Sequence, residues 1–314
     1  MILLASPGQG AQTPGFLRPW LDVPGVADRL AWWSAVSGLD LVRYGTEAEA
    51  EEIRDTAIAQ PLLVSAALAA YEALYSITPD AAGAPGGPRP DAVAGHSVGE
   101  LAAAAIAGVV TPESALVLVR ERGRAMAEAA AVTETGMTAV LGGDADEVLA
   151  AIDKHGLTPA NVNGAGQIVA AGTVGRLAAF AAEPPAKARL RELSVAGAFH
   201  TEHMAPAAET LRRLSPGVTV ADPAMPLLSN RDGAVVGSGR EYLNRLAEQV
   251  SAPVRWDACM ETIRELGVTA IIELPPAGTL VGLARRELRG VELLALKTPD
   301  DLDKARALVK EHSS

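Results

Sequence analysis

Short apolar runs alternate with longer helical patterns over most of the chain. Apolar runs bounded by Gly, Pro or Asp are typical of strands buried on both faces of a parallel sheet. We predict such strands at 2–5, 91–94, 226–229, 269–274 and 293–296. The 3.6-residue patterns around them predict helices at 58–75, 100–107, 112–130, 240–250, 255–266 and 300–311. This alternation indicates the α/β fold class.

A more compact pattern occupies the middle of the chain. It predicts strands at 136–142, 160–163, 167–171 and 188–195, and helices at 144–154 and 174–182. The order βαββαβ is that of a ferredoxin-like subdomain. We therefore divide the chain into a large domain, made of 1–130 and 199–314, and an inserted subdomain at 131–198. A Gly- and Pro-rich stretch at 80–90 is predicted to be a surface loop.

The composition favours an aliphatic core and disfavours several classes of function. Apolar residues make up 49% of the 314 residues but aromatic residues only 4%, as in Ala-rich helices packed closely on a sheet. The net charge of −11 argues against nucleic acid as a main partner, because phosphates bind to basic surfaces. A single cysteine, Cys259, cannot form an internal disulfide, and we find no signal-peptide core. The longest apolar run, 101–110, is too short to cross a bilayer, so we expect a soluble cytoplasmic protein without a membrane partner.

A serine between two glycines, Ser97, stands where the strand at 91–94 meets the helix at 100–107. In the sequence Gly-His-Ser-Val-Gly, the glycines remove side chains that would collide in a sharp turn. Such a turn exposes a nucleophilic serine at the N-terminus of a helix. The alternative interpretation is a serine that only caps the helix.

A serine nucleophile needs a general base, and the chain has five histidines. His155 lies at a predicted helix end and His312 in a polar terminus that we expect to fray, so both are set aside. His96 adjoins the serine but is expected to point away from it across the turn. His203 and His200 remain. His200 ends an apolar run that re-enters the large domain, where a domain cleft is expected. The alternative for His200 is a hydrogen-bonded core histidine.

Arg122 is a second anomaly, because it falls on the apolar face of the helix predicted at 112–130. That face carries Ala115, Val119 and Met126. An unpaired buried charge is unfavourable, so the guanidinium requires an anion in bidentate geometry. The anion is a protein carboxylate or the carboxylate of a ligand, and the helical pattern leaves both open.

Five motifs, in this order along the chain, resemble those of malonyl-CoA:acyl carrier protein transacylases of type II fatty acid synthesis. They are Pro-Gly-Gln-Gly-Ala-Gln at 7–12, Gly-His-Ser-Val-Gly-Glu at 95–100, Arg122, Gly-Ala-Phe-His at 197–200, and Gln249 before Pro-Val-Arg-Trp at 253–256. The resemblance covers essentially the whole chain. It implies an α/β-hydrolase-like large domain with a mostly parallel sheet and an inserted ferredoxin-like subdomain, which agrees with the patterns above.

The resemblance also implies the catalytic roles. Ser97 is the acylated nucleophile, and His200 is its general base, oriented by the backbone carbonyl of Gln249. The backbone N–H groups of Gln9 and Val98 form the oxyanion hole.

The resemblance also implies which residues contact the substrate, and it gives the buried charge of Arg122 a ligand. Arg122 binds the free carboxylate of the malonyl group. Asn161, Asn163 and Gln167 contact the pantetheine arm or coenzyme A, or else serve only turn formation. The triplet Ala-Phe-His at 198–200 resembles malonyl-selective rather than methylmalonyl-selective acyltransferases.

The implied reaction is a ping-pong transfer from malonyl-CoA to the phosphopantetheine thiol of acyl carrier protein, with no metal or bound cofactor. We expect a monomer. Acyl carrier proteins are generally acidic, so this acidic chain needs a local basic patch. Lys187, Arg189 and Arg191 are candidates, unless they only solvate an edge strand. The Pro-Pro-Ala sequence at 275–277 departs from the glycine-rich turn of many members, and we expect a stiffer loop with little effect on the chemistry.

Two other functions remain open. A free-standing acyltransferase that serves a polyketide synthase would share every catalytic residue. A serine esterase or thioesterase is more remote, because it requires an acid between the serine and the histidine, or a histidine near the C-terminus, where His312 is the only candidate. Arg122 also argues against it, since a simple esterase needs no carboxylate clamp.

Overall fold

Two β-sheets organise the residues that the computed structural model describes, which are 1–76, 89–195 and 197–312. Most of the loop predicted at 80–90 lies outside these residues. The described strands are β1 (Ile2–Ser6), β2 (Ala92–Gly95), β3 (Thr135–Gly142), β4 (Thr158–Gly164), β5 (Gln167–Thr173), β6 (Ala188–Glu192), β7 (Val254–Arg255), β8 (Ala270–Glu273) and β9 (Glu292–Ala295). The described α-helices are α1 (Val26–Ser37), α2 (Leu41–Thr46), α3 (Thr56–Tyr75), α4 (Gly99–Ile106), α5 (Pro112–Ala130), α6 (Ala145–Lys154), α7 (Val174–Ala182), α8 (Ala205–Leu214), α9 (Gly239–Gln249), α10 (Trp256–Glu265), α11 (Thr279–Glu287) and α12 (Leu302–His312).

The first sheet is parallel, with the strand order β2-β1-β8-β9. Strand β1 is interior, and all its residues are buried. Ser6 at the end of β1 is paired with Gly95 at the end of β2. The loops that follow these strands therefore meet at the carboxyl edge of the sheet, where α/β proteins bind their ligands. The predicted α/β class with a parallel sheet is confirmed.

The strand predicted at 226–229 was wrong in its extent. This buried segment pairs with β2 only through an isolated bridge between Leu227 and Val93. The ladder stops there because the side chain of Asn230, instead of its backbone, bonds to the carbonyl of Gly95. A side-chain contact that ends a ladder leaves no mark in the apolar pattern.

The second sheet has the strand order β6-β3-β5-β4-β7. Strands β3 to β6 pair in antiparallel fashion, and with α6 and α7 they form the βαββαβ unit of a ferredoxin-like fold, as predicted. The last strand of the unit ends at Glu192, where its pairing with β3 ends, rather than at 195. Strand β7 comes from a later part of the chain and pairs with β4 in parallel. The two sheets are thus joined through a segment that follows α9.

Helix α3 is a core helix, although its length and composition would suit a membrane span. Of its most apolar 18-residue window, 72% is buried inside the protein. It packs against α5, and its Leu62, Leu63 and Leu68 belong to the main hydrophobic cluster. The same helix buries the polar side chain of Gln60. The pair α3 and α5 therefore holds a polar group within an apolar core.

Four helices were missing from the sequence prediction: α1, α2, α8 and α11. Helix α11 illustrates the reason. It begins after Gly278, whose φ is 119°, and its first N–H groups are capped by the buried carboxylate of Glu273 on β8. That carboxylate accepts hydrogen bonds from Gly278, Leu280 and Val281 at 2.8, 3.0 and 2.9 Å. A cap supplied by a preceding strand is invisible to local helix-start patterns.

Candidate active site

The turn between β2 and α4 has the strained backbone that the glycine-flanked serine predicted. Ser97 has a φ of 53°, in the left-handed region that non-glycine residues seldom adopt. A Cβ on Gly95 would lie 2.0 Å from the carbonyl carbon of Gly99, and a Cβ on Gly99 would lie 2.2 Å from Ser6 O. Both glycines are therefore required. Val98 is the N-cap of α4 and no side chain caps it, so the helix-cap interpretation of Ser97 was wrong.

Ser97 and His200 are hydrogen-bonded, although 103 residues separate them in sequence. Ser97 Oγ lies 2.7 Å from His200 Nε2, and His200 Nδ1 lies 3.0 Å from the backbone oxygen of Gln249. When Nδ1–H donates to that carbonyl, Nε2 is left as the acceptor for the serine proton. The geometry is that of a nucleophile, a base and an orienting group.

The imidazole of His200 is held in its neutral form. The side chain is buried, and its burial, together with the nearby positive charge of Arg122, lowers the pKa of His200 to about 3. The hydrogen bond to Gln249 opposes this shift only in part. The group is therefore a ready proton acceptor at neutral pH.

This lowered pKa predicts an unusual pH dependence. The rate of Ser97 acylation by malonyl-CoA should change by less than about twofold between about pH 7 and about pH 5. A histidine of ordinary pKa, about 6.5, would become mostly protonated in that range, whereas His200 loses its basic form only as the pH approaches its own lower pKa. The acylation rate at each pH is measured in single-turnover reactions that are followed by intact-mass spectrometry. The range stops at about pH 7 because burial raises the pKa of Glu100 to about 8. A rate that falls to half near pH 6.5 would contradict the neutral, buried base.

Arg122 reaches the same serine from α5. Its side chain is only 3% exposed. Nη2 donates to Ser97 Oγ at 3.2 Å, and Nη1 donates to Gln60 Oε1 at 2.6 Å. Burial lowers the pKa of Arg122 to about 10, so the guanidinium remains charged at neutral pH. Within the described ranges no carboxylate forms an ion pair with Arg122, so the protein carboxylate that the sequence left open is not found there. The guanidinium instead has a neutral partner, the side-chain amide of Gln60.

Gln9 and Val98 line the same cavity as the serine, and their backbone N–H groups are the predicted oxyanion donors. Over the part of the chain that the structure describes, neither donates to a protein acceptor. The loop of Gln9 is anchored by its side chain, whose Nε2 donates to Thr56 Oγ1 at 3.3 Å. Gly8 allows the loop to approach the turn at 95–99, which we call the elbow, because a Cβ there would lie 2.9 Å from Nδ1 of His96. Both N–H groups are available to an oxyanion.

Three amide side chains of the second sheet, Asn161, Asn163 and Gln167, also face the cavity. Asn163 Oδ1 lies 2.9 Å from Nε2 of His96, and Asn163 Nδ2 lies 3.4 Å from Gln167 Oε1. The side chain of Asn161 makes no hydrogen bond to another described residue. His96 is therefore engaged away from the serine, and Asn161 is open to a ligand.

One cavity of about 200 Å³ unites these groups between the two sheets. Its apolar wall includes Met126, Phe199 and Leu280. Gln249 does not line it but acts on it through His200. The predicted site residues on its wall are Gln9, Ser97, Val98, Arg122, Asn161, Asn163, Gln167 and His200.

Three buried polar residues of the site had no predicted role there: Gln60, Glu100 and Asn230. Asn230 Oδ1 accepts the N–H of Ser97 at 2.7 Å, and Glu100 Oε1 accepts the N–H of Asn230 at 2.7 Å. Glu100 could have been found, since it is the only charged residue in the helix predicted at 100–107. Asn230 could not, because it lies in a polar turn sequence.

The C-terminal histidine lies far from the serine. The Nδ1 of His312 is 2.9 Å from Thr269 Oγ1, directly before β8 begins. Its Nε2 lies 3.3 Å from Glu292 Oε2, so the expectation that this ring frays was wrong. In a parallel sheet this is the amino edge, whereas Ser97 follows the carboxyl end of β2. A hydrolase-like pairing of His312 with Ser97 is excluded.

Comparison with known proteins adds an independent finding. The family described as acyl transferase domain matches residues 7–303. A malonyl CoA-acyl carrier protein transacylase of Mycobacterium tuberculosis is 54% identical over 303 residues, which cover 96% of this chain and 98% of that protein.

Solved structures agree with this similarity. The crystal structure of MCAT from Mycobacterium tuberculosis superposes with a TM-score of 0.91 at 53% identity, covering 98% of this chain and 99% of that one. A malonyl-transacylase in complex with its type II PKS acyl-carrier protein superposes with a TM-score of 0.87 at 30% identity, with coverages of 98% and 99%.

Proposed function

Since this chain belongs to the malonyl CoA-acyl carrier protein transacylase family, we propose that it transfers the malonyl group from malonyl-CoA to the phosphopantetheine thiol of acyl carrier protein through a malonyl-Ser97 intermediate. One observation carries the mechanism. Ser97 Oγ lies within hydrogen-bond distance both of a neutral imidazole, His200, and of a buried cation, Arg122, that no described carboxylate pairs with.

In the first half-reaction, Ser97 Oγ attacks the thioester carbonyl while His200 Nε2 takes its proton. The N–H groups of Gln9 and Val98 donate to the oxygen that becomes negative in the tetrahedral intermediate. The carbon–sulfur bond then breaks, and His200 returns the proton to the sulfur of coenzyme A. Throughout, the carbonyl of Gln249 keeps the Nδ1–H tautomer in place.

In the second half-reaction, the phosphopantetheine thiol gives its proton to His200 and attacks the ester carbonyl of malonyl-Ser97. The same two N–H groups stabilise the same oxygen, and Ser97 Oγ leaves with the proton from His200. No cofactor is needed, because the two half-reactions together exchange one thioester for another of similar energy. Arg122 holds the malonyl carboxylate in both halves by bidentate hydrogen bonds.

The three amides of the second sheet supply the contacts for the carrier arm. Asn161 has an unused carboxamide, and Asn163 and Gln167 lie beside it on the cavity wall. Pantetheine contains amide groups along its chain, which pair with side-chain amides through both donors and acceptors. We assign these residues to pantetheine or coenzyme A.

The same proposal covers the division of the chain and its partner surface. A large domain of 1–130 and 199–314 with an insertion at 131–198 is supported by the second sheet, whose strands β3 to β6 lie within the insertion.

The surface proposed for the acidic carrier protein is a group of exposed basic residues beside or on β6, an edge strand. They are Lys187, Arg189 and Arg191. The monomeric state and the cytoplasmic location of the enzyme remain predictions.

A role in polyketide synthesis is the second candidate, favoured by the superposition on a transacylase bound to a polyketide carrier protein. The catalytic residues are the same in either pathway, so only the preferred carrier protein distinguishes them. Hydrolysis is disfavoured, because Arg122 and the amide-lined wall would have no purpose in a simple esterase.

One experiment tests the function. The enzyme is mixed with malonyl-CoA, methylmalonyl-CoA or acetyl-CoA, the acylated residue is mapped by peptide mass, and the adduct is chased with holo carrier proteins of fatty acid and polyketide synthesis. We expect malonyl on Ser97, its transfer to a holo carrier protein, and no transfer to the apo form, which lacks the thiol. An adduct that water discharges as fast as the carrier protein does would identify a hydrolase instead.

A further inference from the structure

Asn230 ends the segment that runs beside β2. Upstream of it the backbone pairs normally: Val93 N–H donates to Pro226 O at 2.9 Å, and Leu228 N–H donates to Val93 O at 3.1 Å. In a regular parallel ladder, the backbone of residue 230 would form the next bonds with β2 and its continuation. Its backbone does not do so.

The side chain of Asn230 forms those bonds instead. Nδ2 donates to Gly95 O, and Oδ1 accepts from Ser97 N–H, each at 2.7 Å. The carboxamide thus spans the elbow in the way a peptide group would. The backbone of Asn230 is free for other partners: its N–H donates to Glu100 Oε1 at 2.7 Å, and its carbonyl accepts from Arg255 N–H at 2.8 Å.

The two side-chain bonds fix the orientation of the carboxamide. Its oxygen must face Ser97 N–H, which can only donate, and its nitrogen must face Gly95 O, which can only accept. Asn230 is fully buried, so water cannot replace either partner. A fully satisfied polar network of this kind is rigid.

Resting on the proposed function, we propose that Asn230 is a positioning residue for the nucleophile. Its carboxamide holds Ser97 in the left-handed conformation that keeps Oγ within reach of His200. Because it also engages the N–H of Ser97, that group is removed from the oxyanion hole, and the developing charge is left to Val98 and Gln9. Glu100 supports the arrangement by holding the backbone N–H of Asn230.

Asn230→Ala removes both bonds to the elbow and should displace Ser97 Oγ from its line of attack. We expect the rate constant of Ser97 acylation to fall by about 100-fold, as displacements near 1 Å do. The KM for malonyl-CoA should stay within about twofold, because no substrate contact is lost. Both values come from pre-steady-state mixing with intact-mass detection.

Asn230→Asp keeps the shape and adds a second readout. A protonated acid can still donate to Gly95 O and accept from Ser97 N–H, whereas a carboxylate can only accept. The thiol of Cys259 lies 3.6 Å from Nδ2, and Glu100 accepts the backbone N–H of the same residue, so an acid buried beside these two groups resists ionisation. We expect the ratio of variant to wild-type rates to fall as the pH rises from about 6 to about 9.

Two controls separate positioning from stability. Asn244→Ala removes an exposed asparagine of α9, and Ile263→Val trims a buried side chain of α10, so both should acylate at the wild-type rate. Wild-type acylation rates in Asn230→Ala, a flat rate ratio in Asn230→Asp, or an equal loss in Ile263→Val would each overturn the inference. If the wild-type enzyme gives no adduct on Ser97, the proposed function fails, and this inference fails with it.

Discussion

Replacement of Ser97 by alanine is expected to abolish the malonyl adduct and to lower malonylation of acyl carrier protein by roughly 10⁴-fold or more. The substitution removes only Oγ, and with it the hydrogen bonds to His200 and Arg122. The fold should tolerate it, because Ala165 and Ala277 already adopt φ values of 51° and 50° in this chain. Intact-mass spectrometry after incubation with malonyl-CoA detects the adduct, and the mass of the carrier protein reports the transfer.

Ser194→Ala is the matched control for this experiment. Ser194 is exposed and precedes the segment that leads to His200, so its loss should change neither the adduct nor the transfer. Unfolding curves of both variants should coincide with that of the wild type. A malonyl adduct that persists on Ser97→Ala would show that another residue is acylated and would remove the proposed mechanism.

The elbow was predictable from sequence because its causes are local. Gly95 and Gly99 are required by contacts within a few residues of Ser97 and with the neighbouring strand, so the motif itself encodes the turn. Arg122 was predictable as a buried cation for a similar reason, since helical periodicity alone places it on the apolar face of α5. Its neutral partner, Gln60, was not, because that contact depends on how α3 packs against α5.

The support of the elbow could not be predicted from the sequence. Asn230 stands 133 residues from Ser97, in a turn sequence whose polar residues have many uses. Its role depends on replacing a backbone pair by a side-chain pair, which no apolar pattern records. The overestimated extent of the strand at 226–229 and the missed asparagine thus have one cause: beyond Leu228 the backbone ladder gives way to hydrogen bonds of the Asn230 side chain.

The capped start of α11 shows the same limit in another element. Glu273 lies in a strand that was predicted as continuous and apolar, and its carboxylate is used by a helix whose first turn lies beyond a Pro-Pro sequence. Burial raises the pKa of Glu273, and the backbone N–H bonds oppose that shift. Only the three-dimensional arrangement reveals that this buried acid is structural and not catalytic.

Removal of the guanidinium by Arg122→Ala is expected to separate malonyl from acetyl transfer. Malonyl transfer should fall by roughly 10²- to 10³-fold, equivalent to about 3 to 4 kcal/mol, because the buried malonyl carboxylate loses its cationic partner. Acetyl transfer should stay within about threefold, since the acetyl group has no carboxylate to hold. Rates of Ser97 acylation by malonyl-CoA and acetyl-CoA, measured at the same pH, give the ratio.

The ratio of the two rates is the diagnostic quantity, because Arg122 has a second effect that both substrates share. Its charge lowers the pKa of His200, so its loss raises that pKa and changes the base equally for either acyl group. Arg122→Met is a second variant that fills more of the space and so guards against a collapsed cavity. The matched control is Arg124→Ala, because Arg124 lies on the same helix but is half-exposed and paired with Glu121. It should leave both rates unchanged. Equal losses for malonyl and acetyl in both Arg122 variants would mean that the arginine only supports the fold and the base, and the carboxylate clamp would have to be sought elsewhere on the cavity wall.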